Sequence, residues 1–196
     1  MNDKPPPQGT SPDSVDSFES GTESTLWLTY SFAPEWYSDA ESQAAISDHK
    51  ARRREILFAV TAAESYLVEW VRDSVLNREV EKLKTYFPAG SKRGVSQKYK
   101  DVTKQLAADG RIVAPLGCGG TEWLDFKKLV SYRDGLVHAS ASRPETTGLP
   151  DSEMPVPSKS DLDAYPAGQA LQIVRTLFQK LHADTNTPVP EWLQHG

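Results

Sequence analysis

The periodicity of apolar residues between 56 and 75 constrains the fold of this chain more than any other sequence feature. Apolar side chains recur there at steps of three and four, which is the spacing of one face of an α-helix. The repeating residues are Ile56, Val60, Ala63, Leu67, Trp70 and Val71. A helix over residues 50–77 is about 42 Å long at roughly 1.5 Å per residue, so we expect it to be the long central helix of a bundle.

Four further segments carry helical signals, and no segment shows the alternating pattern of a strand. We predict helices over 79–87, over 95–108, from Thr121 as N-cap to the region of His138, and over 166–183 with Pro166 in the first turn. The third should bury Trp123, Phe126, Val130 and Val137, flanked by Leu129 and Leu136, and the last should bury Leu171, Val174, Leu177, Phe178 and Leu181. The predicted fold class is therefore all-α, a bundle of about four to five helices.

The remaining segments are rich in proline and polar residues. Residues 1–24 are acidic and contain four prolines, which predicts a disordered tail. We interpret 25–49 as an aromatic strap and helix lead-in, with 26–37 extended because Pro34 interrupts it. The helical domain then covers 50–183 and includes a long proline-rich loop over 140–160. A non-helical tail follows over 184–196.

The net charge of −5 hides a basic block. Residues 1–49 hold nine acids and one base, whereas residues 50–111 hold 14 Lys and Arg against 8 Asp and Glu. Such a local surface attracts phosphate groups even when the mean charge is negative, so RNA is admissible as a partner. The single cysteine, Cys118, excludes an intramolecular disulfide and a Cys-based zinc site. With no signal sequence and no run of 18 apolar residues, we expect a cytoplasmic protein without a membrane segment.

One constellation combines phosphate-binding and proton-transfer chemistry. The helix from Thr121 closes with Arg133, Asp134 and His138, and Asp134 and His138 share a face at i and i+4. A carboxylate and a helix C-terminus both raise the pKa of an imidazole, and arginine offers a fork of donors to a phosphate. These groups suit phosphodiester cleavage without a metal or cofactor. Alternatively, Arg133 and Asp134 are only solvated and His138 only contacts the helix carbonyls.

The sequence Arg133-Asp134-x-x-x-His138 resembles the R-[NDH]-x-x-x-H signature of the HEPN superfamily, and the bundle around it is also similar. The resemblance implies a homodimeric, metal-independent endoribonuclease of toxin or antiviral defence systems, paired in some cases with an antitoxin or a neighbouring defence protein. Two protomers would join their motifs in one cleft, and a 2′-hydroxyl would attack the adjacent phosphate. Carried over, Arg133 holds the phosphate, His138 moves the proton, Asp134 supports His138, and Tyr132 is a supporting neighbour.

The long helix carries the second part of the resemblance, in the segment from Val60 to Leu67 around Glu64. Because Glu64 lies on the apolar face, its carboxylate needs an ion-pair or hydrogen-bond partner. Either it reaches Arg133 and positions it, or it forms an ion pair or hydrogen bond that fixes helix packing. Gly135 departs from the family pattern because it loosens the helix inside the motif. The alternative function is therefore a non-catalytic HEPN-like module that dimerises or binds RNA or nucleotides with a partner protein.

Basic residues on the predicted helices are candidates for guiding the RNA backbone. They are Arg52, Arg53, Arg54, Lys92, Arg93 and Lys98, and the alternative is that they form an ordinary solvated face. The glycine-rich segment before Thr121 is either an anion nest or a flexible entry turn. Cys118 has no sequence partner as a nucleophile, and the remaining histidines, His49, His182 and His195, show no metal-ligand spacing.

Overall fold

The computed structural model describes residues 32–77, 79–88, 93–116, 120–138, 160–161 and 164–194. In these residues the fold is all-α and contains no strand, which confirms the predicted class. The helices are α1 (Ala33–Ala44), α2 (His49–Glu69), α3 (Val80–Tyr86), α4 (Val95–Ala108), α5 (Thr121–His138) and α6 (Gln169–Thr185). The predicted tail over 1–24 and nearly all of the loop over 140–160 lie outside the described residues.

The first helix, α1, corrects the prediction of an extended strap up to Tyr37. It begins at Ala33 and places Pro34 in its first turn, where the missing N–H has no helical acceptor to bond and the fixed φ suits the helix. Ala33, Tyr37 and Ala40 follow at helical spacing and are buried against the bundle. Pro34 is therefore a helix start and not an interruption.

The second helix, α2, is the predicted central helix, and it contacts α1, α5 and α6. All six residues of the predicted apolar face are buried. From Trp70 to Val75 the helix widens into a π-helical turn, in which the Leu76 N–H donates to the Val71 carbonyl at 2.9 Å. Asn77 then adopts a left-handed conformation with φ 49°, which ends the helix.

The shorter helices lie close to their predicted positions. The segment predicted over 79–87 is α3, and α4 has the predicted bounds of Val95 and Ala108. One face of α4 is buried through Val95, Tyr99, Val102 and Leu106, while Lys100 and Lys104 are exposed. Helix α4 packs against both α3 and α5.

The last helix, α6, starts later than predicted. Gly168 precedes it with φ 76°, a left-handed conformation that cannot continue a right-handed helix, so Pro166 lies outside its first turn. The five apolar residues predicted to face inward are all buried.

The segment after α6 returns to the bundle. Its prolines prevent a longer helix, and only a single 3-10 turn forms at Glu191–Leu193. Leu193 is buried, and the Trp192 ring packs edge-on against Tyr37 and Tyr66, each at 5.2 Å between centroids. This segment therefore closes the core over α1 and α2. Among the described helices, none has the length and apolar content needed to cross a membrane.

Candidate functional site

The motif lies where α5 emerges from the bundle. Along one stripe of this helix the exposed fraction rises from 0% at Phe126 to 5% at Val130, 22% for the Arg133 side chain and 51% at Val137. The prediction that Val137 is buried is therefore wrong, because the neighbouring helices no longer cover the last turn. Arg133 occupies an apolar position of the stripe at the rim of the bundle.

Among the described residues, only part of the Arg133 guanidinium has an ion-pair or hydrogen-bond partner. Its Nη1 forms an ion pair with Asp134 Oδ1 at 3.3 Å, and Asp134 is about half exposed. Its Nε is buried and has no hydrogen-bond partner in the structure described here. A buried donor without an acceptor destabilises the fold, so an oxygen atom of a ligand would stabilise it. An anion such as phosphate suits this position.

The other motif residues share one uninterrupted helix. Gly135 is buried inside α5, and the helix continues through it to His138. The structure pairs Asp134 with Arg133, whereas the sequence spacing assigns Asp134 to the support of His138. The His138 side chain lies outside the part of the chain that is described, so that assignment stays a prediction.

Glu64 does not position Arg133. Its Oε1 accepts a hydrogen bond from Lys98 Nζ at 2.5 Å, and this ion pair joins α2 to α4. The neighbouring Tyr99 hydroxyl reinforces the same contact by donating to the Ala63 carbonyl at 2.6 Å. Of the two alternatives for Glu64, the structure shows the one that fixes helix packing.

The predicted RNA-binding residues separate into different environments. Arg52 is buried at 6% exposure, so its assignment to RNA is wrong. Its guanidinium binds Glu55 at 2.6 Å and donates to the carbonyls of Ala44, the last residue of α1 (3.1 Å), and of Ile46. A charge at this place is held by the fold and cannot reach a nucleic acid.

The remaining basic candidates are only in part available to a ligand. Arg93 forms an ion pair with Asp101, and Lys98 is held by Glu64. Arg53 is half-buried and Arg54 is exposed, both on α2, whereas Lys92 is outside the described residues. The structure therefore does not gather the five described residues of this set into one basic surface.

Tyr132 points to a feature that sequence reasoning missed. Its ring packs against that of Tyr165 at 5.0 Å between centroids, and both line a cleft of about 270 Å³ between α5 and the start of α6. The cleft is also lined by Asp125, Lys128, Asp161, Ala164, Pro166, Gln169 and Ile173. The signal in the sequence was the spacing i, i+3, i+7 of Asp125, Lys128 and Tyr132, which aligns them on one face of α5.

Helix α6 also carries an arginine and a histidine, Arg175 and His182, and both side chains are hydrogen-bonded within the fold. Arg175 donates from Nε to the Tyr37 hydroxyl at 3.0 Å. His182 is buried, and hydrogen bonds join its Nε2 to the Tyr66 hydroxyl (2.6 Å) and its Nδ1 to Thr187 Oγ1 (2.8 Å). Burial lowers the pKa of His182 from its usual range, which favours the neutral imidazole.

No cluster of three or more His, Cys, Asp or Glu side chains in the described residues is arranged to hold a metal ion. Residues 117–119 of the glycine-rich segment, which include Cys118, lie outside those residues. In comparisons with models of protein families, with curated proteins and with solved structures, this chain has no match.

Proposed function

We propose that this chain is a metal-independent endoribonuclease of the HEPN type that acts as a homodimer in a toxin or phage-defence setting. The observation that supports it most directly is the state of Arg133. Its guanidinium is partly exposed at the rim of the bundle, and its Nε is buried without a partner in the described residues. A phosphate oxygen would complete this hydrogen bonding.

In the proposed reaction, the 2′-oxygen of a nucleotide bonds to the adjacent phosphorus and the P–O5′ bond breaks. The proton of the 2′-hydroxyl passes to a base, and the 5′-oxygen takes up a proton as it leaves. The products are a 2′,3′-cyclic phosphate and a 5′-hydroxyl. His138 at the end of α5 is assigned the proton transfers, and two protomers supply two imidazoles, one to accept and one to donate. Arg133 stabilises the charge that develops on the phosphate.

The test is incubation of the purified protein with total RNA in excess EDTA. We expect cleavage that leaves 2′,3′-cyclic phosphate ends, identified by mass spectrometry of the fragments. His138→Ala should lower the cleavage rate by roughly 10²–10⁴-fold, the usual contribution of general acid–base catalysis. His49→Ala, which removes an exposed histidine at the start of α2, is the matched control and should leave the rate unchanged. Equal cleavage by His138→Ala and the wild type would refute the proposal.

A second candidate is a non-catalytic module of the same fold that binds RNA or nucleotides with a partner protein. The internal ion pairs of Arg52, Arg93 and Lys98 favour it, because they remove three of the basic residues expected to guide an RNA strand. The same assay separates the two candidates. RNA binding without cleavage, and biological activity that survives both Arg133→Ala and His138→Ala, would support the module.

A further inference from the structure

Four charged or amide side chains line the cleft beside Tyr132, and one of them, Asp161, already has an interaction partner. Asp125 and Lys128 lie three residues apart on α5, and Gln169 is the first residue of α6. Within the described residues none of these three side chains forms a hydrogen bond or an ion pair, whereas other charged pairs in the molecule do. Their donors and acceptors are therefore available to a ligand in the cleft.

Tyr165 adds an independent sign that the cleft is incomplete. This residue is 8% exposed, and its hydroxyl is buried without a hydrogen-bond partner in the described residues. Burial raises the pKa of this hydroxyl above its usual range, so the group stays a neutral donor. An unsatisfied buried hydroxyl next to a cavity is a position that a ligand atom or an ordered water completes.

The size and the walls of the cleft select the class of ligand. A volume of about 270 Å³ is smaller than the pockets that hold large cofactors, and it suits a single planar ring system. Tyr132 is only half-buried against Tyr165, so part of its ring is open for stacking. Aromatic faces with a carboxylate and an ammonium at one edge match a nucleobase that presents both donors and acceptors.

We infer that this cleft is a nucleobase pocket with a preference for guanine. Guanine presents two adjacent donors, N1–H and N2–H, which a carboxylate such as Asp125 accepts together. It also presents two adjacent acceptors, O6 and N7, to which a lysine such as Lys128 donates. Adenine and uracil have neither of these adjacent pairs, and cytosine lacks the adjacent donors. Gln169 and the Tyr165 hydroxyl provide further hydrogen-bonding groups at the wall.

The pocket lies next to the motif along the same helix. Tyr132 ends the row of pocket residues and Arg133 begins the motif, so the two residues are about 1.5 Å apart in helix rise and about 100° apart around the helix axis. The phosphate of a base held against Tyr132 would therefore have to extend around the side of α5 to contact Arg133. This placement rests on the proposed function, and it makes the pocket the site for a base next to the bond that is cleaved.

The first experiment measures binding of GMP, AMP, CMP and UMP to the full chain by calorimetry. Because the four ligands share the ribose phosphate, differences between them report on the base. We expect GMP to bind about 10-fold more tightly than AMP, the discrimination of one good paired base contact. Asp125→Asn and Lys128→Gln should each abolish most of that preference.

Lys127→Gln is the matched control, because it removes the same charge from the neighbouring position of α5, which does not line the cleft. It should keep the preference for GMP. Tyr132→Leu should weaken binding of all four nucleotides, with thermal unfolding used to verify that the variant is folded. Equal affinities for the four nucleotides, or a preference that Asp125→Asn leaves intact, would overturn the inference.

The second experiment maps cleavage sites in a defined RNA and separates this inference from the proposed function. If the wild type cuts next to guanine and Asp125→Asn cuts without that bias, both are supported. If RNA is cut but GMP shows no selective binding, the inference fails and the nuclease stands. If GMP binds selectively and RNA is never cut, the pocket stands and the nuclease assignment fails.

Discussion

At the scale of single residues, His182 shows how a buried histidine is tied to the fold. Its ring is hydrogen-bonded to Tyr66 on one side and to Thr187 on the other, and its carbonyl accepts a hydrogen bond from the Thr187 N–H at 2.9 Å. These contacts join α2, α6 and the C-terminal segment. Because both hydroxyl oxygens can accept as well as donate, it is burial that disfavours the charged imidazole at this position.

This burial makes the stability depend on pH with a definite sign. The native pKa of His182 lies below its unfolded value of about 6.5, so below that pH the unfolded chain binds a proton that the native state does not. The contribution of neutral His182 is therefore complete above about pH 6.5 and declines as the pH falls from there toward the native pKa.

We predict that the free energy of unfolding of His182→Gln lies closer to that of the wild type at pH 5.5 than at pH 7.5. Urea denaturation at both pH values measures the difference. Each unit by which the native pKa is lowered corresponds to about 1.4 kcal/mol. His49→Gln is the control, since it also removes one histidine but from an exposed position. A difference between His182→Gln and wild type that is constant with pH would contradict the argument.

At the scale of helices, a buried ion pair on α2 connects the ends of two other helices, α1 and α6. Glu55 Oε2 receives Arg52, and Glu55 also accepts hydrogen bonds from the backbone N–H groups of Gly168 and Ala170 at 3.2 Å each. Arg52 in turn donates to the carbonyls of Gln43 and Ala44 in the last turn of α1 and of Ile46 just beyond it. One pair thus satisfies the N-terminus of α6 and the C-terminus of α1, where backbone groups have no helical partners.

We predict that Arg52→Met and Glu55→Leu each lower the free energy of unfolding by about 3–5 kcal/mol, because each leaves a buried charge unpaired. The double variant should lose less than the sum, since it removes both charges together. Chemical denaturation of the four proteins gives the coupling energy. Lys82→Met and Glu79→Leu, which remove an exposed ion pair at the start of α3, should leave the free energy of unfolding close to that of the wild type. Additive losses at Arg52 and Glu55 would show that the two side chains act separately.

Helical periodicity predicted most elements of the fold, and its failures have physical causes. The apolar stripes of α2 and α6 are local properties of the sequence, so their buried faces were predicted correctly. Helix α1 was missed because proline was interpreted as a break, although it is tolerated in a first turn. The start of α6 is set by the left-handed conformation of Gly168, which apolar periodicity does not reveal.

The candidate site was predicted less completely, because its contacts join distant parts of the chain. The motif position at the end of α5 followed from local sequence. Glu64, however, pairs with Lys98 and not with Arg133, because the packing of α2 on α4 brings Lys98 next to it. Arg52 carried a usable signal, since it precedes the buried Ile56 by one helical turn and therefore shares its face. The cleft needs the segment before α6, whose approach to α5 no periodicity encodes.

At the scale of the whole molecule, the distribution of exposed groups around the motif bears on the proposed dimer. Val137 is half exposed one helical turn beyond Arg133, and it continues the stripe that is buried at Phe126 and Val130. An apolar residue at the exposed end of a buried stripe is a natural contact for a second copy. In a two-fold dimer the same patch meets itself, which would bring the two motifs together.

We predict that Val137→Glu shifts the protein from dimer to monomer and lowers RNA cleavage in proportion, because like charges would meet across the two-fold axis. Light scattering coupled to gel filtration measures the mass, and the rate is measured on the same fractions. Leu124→Glu is the matched control, since Leu124 is an exposed apolar residue of the same helix more than three turns away from Val137. It should remain dimeric and active.

If Val137→Glu stays dimeric while Leu124→Glu dissociates, the interface lies at the start of α5, and the two motifs cannot share a cleft through this stripe. If the wild type is a monomer that cleaves RNA with a specific rate independent of concentration, a single protomer carries the whole reaction.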